Sequence, residues 1–524
     1  MKNRLRVIAL FLSWLAANAV SFASPADSRI AFTVSMDEPA SHLFRVVLRC
    51  EGLRTETMDF KMPVWMPGFY GIIDYAGKVR DFKAVDGAGN PLNWERLKPN
   101  LWRVRTENAS PVTISYGVKA DVPFIVNSLL DENHAYIAPV GVFMHAAGRF
   151  RHPVTVAIKS YEKWKDVATG LDPVPGKAFT FSAPDFDILY DSPILVGNLE
   201  MLPFEVRGIP HVFAGWNLRD FDHAAFISDL KRTVEAAVSI IGDVPYKRYA
   251  FLAVSPGRGG IEHLSSQAVS LDGLAGYASG GRPRTLAFLA HEFFHLYNVK
   301  TIRPRELGPF DYDGPNRTNL LWMSEGFTVY YEYIILRRAG LLTPDELLES
   351  LGGRVSAVEN RPGRFVQSAA RSSYESWEQG PFGGSPEKTI SYYDKGAVIG
   401  FLLDLKIRHE TKGAKSLDDV MRTLYREYFK EKNRGFTDQE FQQVCELVAG
   451  GSLDEVFEYA YTIKPVDYSK YLGYAGLELQ SSATPDEAGR DDSQKVGPAS
   501  GYRIKRVPKP TPDQEEIYSG WMAR

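Results

Sequence analysis

A chain of 524 residues exceeds what one core ordinarily fills, and its 44% hydrophobic and 24% charged residues are those of a soluble globular protein with several domains. A formal net charge of -3 gives no basic excess for gripping phosphates, which argues against nucleic acid as a partner. The two cysteines, Cys50 and Cys445, stand almost a whole chain apart, which excludes a disulfide scaffold and a cysteine-based metal site.

Residues 1–24 place Lys2, Arg4 and Arg6 before an apolar run from Val7 to about Val20, followed by small residues. This is the layout of a secretory signal peptide, and the run is shorter than the roughly 20 apolar residues that a bilayer demands. Export to the periplasm or the medium is therefore expected, with no transmembrane segment after cleavage.

From 25 to 205 the runs are short, alternating and rich in β-branched and aromatic residues. "RIAFTVSM", "HLFRVVLRC" and "VTISYGVKA" are examples, separated by turn signals such as "WMPGFYG" and "DGAGNP". An antiparallel β-sandwich is predicted there, with Cys50 continuing the inward alternation of Phe44, Val46 and Leu48.

From about 218 the period becomes helical, and "DFDHAAFISDLKRTVEAAVSIIG" ends at Gly242; "YKRYAFLAVS" follows as a strand. In "GGRPRTLAFLAHEFFHLYNVK", Pro283 starts a helix whose apolar face carries Leu286, Leu289, Ala290, Phe293 and Tyr297. The proline-rich 300–319 is a loop, and "LLWMSEGFTVYYEYIILRRAG" is a second helix ending at Gly340. Thr343, Pro344 and Glu346 then open a capping box. Helices dominate to about 460, apart from a Gly/Pro/Ser-rich break near 379–386, and the stretch after about 480 reads as an exposed linker.

His291 and His295 in "HEFFH" stand at i and i+4, which puts both imidazoles on one helical face where they can grip one ion. Glu292 then lies beside that ion, placed to take a proton from water. A third ligand is required, and Glu325, a carboxylate in an apolar, aromatic helix thirty positions beyond His295, is the candidate. Glu332, two turns later on nearly the same face, reads as a partner orienting a histidine or as an ordinary surface acid. An N,N,O ligand set with one open position suits zinc best.

H-E-x-x-H followed by S-E-G-F-T-V-Y resembles the gluzincin metallopeptidases. More closely, the chain resembles the glycyl aminopeptidase family, through "VWMPGFYGIIDYAGKVRDF" (64–82), "DFDILYDSPILVGN" (185–198), "GRGGIEH" (257–263), the two metal helices and "SYYDKGAVIGFLLDLKIR" (391–408). The resemblance implies a multidomain α+β protein. Its parts are the N-terminal β-sandwich (25–205), a thermolysin-like zincin catalytic domain (206–340) and a helical C-terminal domain (341–475). Residues 476–524 would be a tail or a truncated remnant of the PDZ domain that relatives often carry. It also implies that Glu262, with Gly259 and Gly260, binds the free amino end of a peptide, and that Tyr393 supports the oxyanion; His263 stands where other aminopeptidases carry asparagine. The activity implied is release of small N-terminal residues, glycine or alanine. A zinc endopeptidase, a catalytically silent peptide-binding protein, and ester or epoxide hydrolysis at the same metal remain as rival readings.

Overall fold

A computed structural model describes residues 28–523 except 220, 272–276, 278–280, 381–382 and 483–500. The predicted signal segment 1–24 and most of the predicted linker after 480 lie outside the described residues.

The N-terminal part is built on a seven-stranded sheet ordered Asp172–Pro173, Thr180–Ala183, Val154–Lys159, Arg29–Ser35, Leu43–Glu51, Val112–Lys119, Val79–Val85. Strict alternation decides its inner face: Ile30, Phe32 and Val34 are buried, as are Phe44, Val46, Leu48 and Cys50 on the next strand. The sheet is not wholly antiparallel as expected, because Arg29–Ser35 runs parallel to Val154–Lys159. Two four-stranded sheets complete this part around one apolar core.

A five-stranded sheet follows in the order Glu200–Val206, Ile209–Gly215, Tyr249–Val254, Ser266–Ser270, Gly260–Glu262. Its three middle strands are parallel, and Gly260–Glu262 is an edge, antiparallel to its neighbour. The helix His223–Ile241 covers it, started by the Asp222 side chain and stopped by Gly242 at φ 87°.

The helices Arg282–Phe294, Leu321–Arg338, Pro344–Glu359 and Tyr392–Glu410 then pack together, and the Thr343–Glu346 capping box forms as its residues predict. No break in the core falls at 340: most buried apolar side chains from Val206 to Met522 form one cluster, while a few such as Leu252, Ile261 and Ala268 face the N-terminal core. Nor are the last residues a loose tail. Gly501–Arg506 pairs with Leu477–Ser482, and the helix Pro512–Met522 buries Trp521, whose indole Nε1 donates to Tyr330 at 2.8 Å. Both cysteines are buried and unpaired, and no described helix is long and apolar enough to cross a membrane.

Candidate metal centre

The helix Arg282–Phe294 buries Leu286, Leu289, Ala290 and Phe293, which fixes its rotation and turns His291 and Glu292 toward the second helix. His295 is its terminal cap, still helical at φ -60° and ψ -20°. Each imidazole is held through Nδ1: Glu332 Oε2 stands 2.9 Å from that of His291, and the Asn298 carbonyl 2.8 Å from that of His295. With those protons engaged, the two Nε2 atoms face each other at 3.0 Å, with Glu325 Oε2 3.1 Å from one and 3.7 Å from the other. Two imidazole nitrogens and a carboxylate converging in a dry site call for positive charge among them, from a metal ion or from protons that the neighbouring Glu325 and Glu332 make the histidines hold more tightly. Tetrahedral bonds of about 2.0–2.1 Å separate two nitrogens by roughly 3.3 Å, so these donors fit a small divalent metal.

Glu325 sits on Leu321–Arg338, a helix buried nearly all round, where an unpartnered carboxylate would be costly. Burial works against its charge, but the two histidines prevail and hold it below the usual carboxylate range. Glu292 has the opposite balance. Burial outweighs the nearby histidines and pushes it up to about 7, with Glu262 and Glu325 adding repulsion. Its carboxylate lies over Gly260, where any β-carbon would overlap Oε1.

Glu262, Glu292 and His295 offer ligand atoms within 4.8 Å of one another, so Glu262 reaches the same centre from the sheet edge. Glu262 is 4% exposed, and among the described residues no donor hydrogen-bonds its carboxylate. Next to it, His263 and Lys300 meet Asp191 at 3.0 and 2.7 Å, and the Leu264 amide meets it at 2.8 Å. Asp191 is kept ionised at about 2 by Lys300 and His263 against the cost of its burial. The conspicuous 185–198 and 257–263 segments are thereby tied together behind Glu262.

Gly259, at φ 89°, makes the turn into the edge strand. Tyr393 places its ring 6.3 Å from that of His291. Burial first, then the Glu325 charge, pushes its hydroxyl well above the ordinary value, so it remains a donor. Two contributors come from the N-terminal part, from a segment that the sequence marks as a turn and as a block of the family resemblance without giving it a role in the site. The Tyr70 hydroxyl donates to Glu325 Oε1 across a long 3.4 Å, and Gly68, at φ 94°, lies so near Glu262 that a β-carbon would stand 2.5 Å from Oε2. Asn298, which carries no sequence signal, donates from Nδ2 to Met323 O, Ser324 O and Thr328 Oγ1 at 2.9–3.1 Å.

Residues 31–198 match the Peptidase M61 N-terminal domain, and residues 284–399 match the M61 glycyl aminopeptidase domain. The chain belongs to the M61 glycyl aminopeptidase family. Its peptidase domain spans the helices that bear His291, His295, Glu325 and Tyr393. The peptidase is also similar to a solved aminopeptidase N family protein from Idiomarina loihiensis, with a TM-score of 0.82 and 27% identity over 90% of this chain and 82% of that one. An M1 zinc metallopeptidase from Deinococcus radiodurans shares the fold at a TM-score of 0.52 and 11% identity, over 84% and 95% of the two chains. A mutant of that enzyme has been solved with a Tyr-Ser-Ala substrate, at the same score, identity and coverage. No curated protein is significantly similar to the chain.

Proposed function

We propose that this peptidase is an exported zinc aminopeptidase that counts from the amino end of peptides and releases small residues such as glycine and alanine. The observation that carries the reading is Glu262, a largely buried residue whose carboxylate has no hydrogen-bond donor among the described residues and lies within reach of Glu292 and His295. A fixed buried anion beside a hydrolytic centre calls for a cation from the substrate, and the α-ammonium is the cation every free peptide has.

His291, His295 and Glu325 would hold the zinc, which supplies Lewis acidity to a water and to the scissile carbonyl. Glu292, raised to about 7, takes a proton from water at its carboxylate and returns it to the leaving amine. The Tyr393 hydroxyl donates to the oxygen on which negative charge develops. Glu262 fixes the ammonium, while Asp191 and Lys300 hold the backbone around it. The preference for glycine or alanine is carried by the likeness to the glycyl aminopeptidases.

The test pairs elemental analysis with hydrolysis of free and N-acetylated Gly- and Ala-amides by wild type and Glu292→Gln. The expected result is about one zinc per chain in both proteins, turnover of free amines only, and none in the variant. Cleavage of the acetylated substrates would move the assignment to an endopeptidase, and absence of both metal and turnover to a binding protein. Export rests on the 1–24 layout, and the intact mass of protein recovered from the periplasm or medium should correspond to cleavage near residue 24.

A further inference from the structure

A cavity of about 600 Å³ opens beside the centre, bordered by Phe288, Glu332, Tyr333, Leu336, Arg284 and Arg354. It begins where the site ends. Glu332 is the partner of His291, and the Phe288 ring lies against Gly260, which in turn meets Glu292. The direction of a bound peptide follows from the sheet. Gly260–Glu262 is an edge strand whose outer side can pair with an extended chain. A peptide with its ammonium at Glu262 runs antiparallel to that strand, past Gly260 and Glu292, and its leaving part enters this cavity.

The helix gives the length. Arg284, Phe288 and Glu292 are spaced at i, i+4 and i+8, so they form one stripe that spans about 12 Å of helix axis. Two residues of extended chain cover roughly 6.8 Å, and the arginine side chain reaches back over the remainder. Arg354 is already engaged, to Asp394 at 2.9 Å and Tyr333 at 2.6 Å. Arg284 is exposed and has no hydrogen-bond or ion-pair partner among the described residues. Among the described residues, Arg284 is a cation without a partner on the rim of a cavity that Glu332 and Phe288 join to the centre, and Glu262 at that centre is an acid without a donor, an arrangement that matches the two charged ends of a short peptide.

We infer that Arg284 receives the α-carboxylate of the leaving dipeptide, which makes tripeptides with a free carboxyl end the favoured substrate class. This rests on the aminopeptidase reading above. The test compares kcat/KM for Gly-Ala-Ala and its carboxyl amide in wild type, Arg284→Gln and Arg284→Glu, with the fold of each variant checked by thermal unfolding.

Wild type should favour the free acid by about tenfold, as expected for one charge-assisted hydrogen bond. The ratio should fall toward one in Arg284→Gln and below one in Arg284→Glu. Equal rates for acid and amide in wild type overturn the inference while leaving the aminopeptidase reading standing, and so does an acid preference that survives in both variants. Hydrolysis of neither substrate overturns the reading and the inference together.

Discussion

Gly260 has no room for a side chain, because a β-carbon there would overlap Glu292 Oε1 and stand 2.8 Å from the Phe288 ring. Gly260→Ala should therefore displace the carboxylate proposed to move the proton without opening a cavity or burying a polar group. A misplacement of about 1 Å at a reacting group costs on the order of a hundredfold, so kcat/KM should fall that far while the melting temperature changes little. A variant that keeps its activity would show that Glu292 can act from elsewhere. Tyr393→Phe keeps the ring near His291 and removes only the donor. Loss of one oxyanion donor lowers kcat by about 10² to 10³, and KM should move much less; a change confined to KM would reassign Tyr393 to binding. The sequence made these residues legible unequally. His291, His295 and Glu325 announce themselves by spacing and by the cost of a carboxylate in an apolar helix. Tyr70 and Gly68 do not, since the elements that give them meaning lie some two hundred residues further on.

The proposed ligands converge because two helix pairs are locked at short range. Asn298, just past the HEFFH helix, uses its carboxamide on three acceptors in the first turns of Leu321–Arg338, while its own carbonyl accepts from His295. Asn298→Ala keeps that carbonyl but frees the helix that carries Glu325 to shift against the histidines. Outer partners of ligands are worth about 10- to 100-fold in metal affinity, so competition with a chelator should show weakening in that range. Unchanged affinity would mean that packing alone sets the helix. On the other side, Leu321–Arg338 meets Tyr392–Glu410 with Gly326 against Gly396, and a β-carbon on Gly396 would overlap the Trp322 carbonyl. Gly396→Ala should force these helices apart, cost about 1–3 kcal/mol in unfolding free energy, and draw Tyr393 from His291, lowering kcat as well. Periodicity and caps disclosed the helices one at a time, with Pro283, Gly242 and the Thr343 box as their ends. Close approach at glycine is a property of two helices at once, and no single segment displays it.

At the scale of the molecule, alternation and turn residues disclosed the N-terminal sandwich. They did not disclose the parallel pairing of Arg29–Ser35 with Val154–Lys159, which joins strands more than a hundred residues apart. Two buried histidines report on the two cores. His145, at the Tyr190 hydroxyl, belongs to the N-terminal part, and His211 sits between the Ile209 carbonyl and the Tyr246 hydroxyl in the second. Burial depresses both from 6.5 to about 4, with Ile209 opposing at His211 and the Asp313 charge opposing at His145. The unfolded chain therefore binds these protons first as pH falls. Each histidine's contribution to stability is fully present above pH 6.5 and is lost progressively down to pH 4. The loss is on the order of 3 kcal/mol for each. Asp191, held at about 2, is lost only below that window. Calorimetry from pH 7 to 4 should give a falling melting temperature. His145→Phe and His211→Phe should each flatten the slope, since the same metal loss occurs in wild type and variant and cancels in the comparison. If both variants flatten a single transition, the two cores unfold as one unit; if each affects a separate transition, they unfold independently. A slope identical to wild type in both variants would mean that neither histidine is held neutral by its burial.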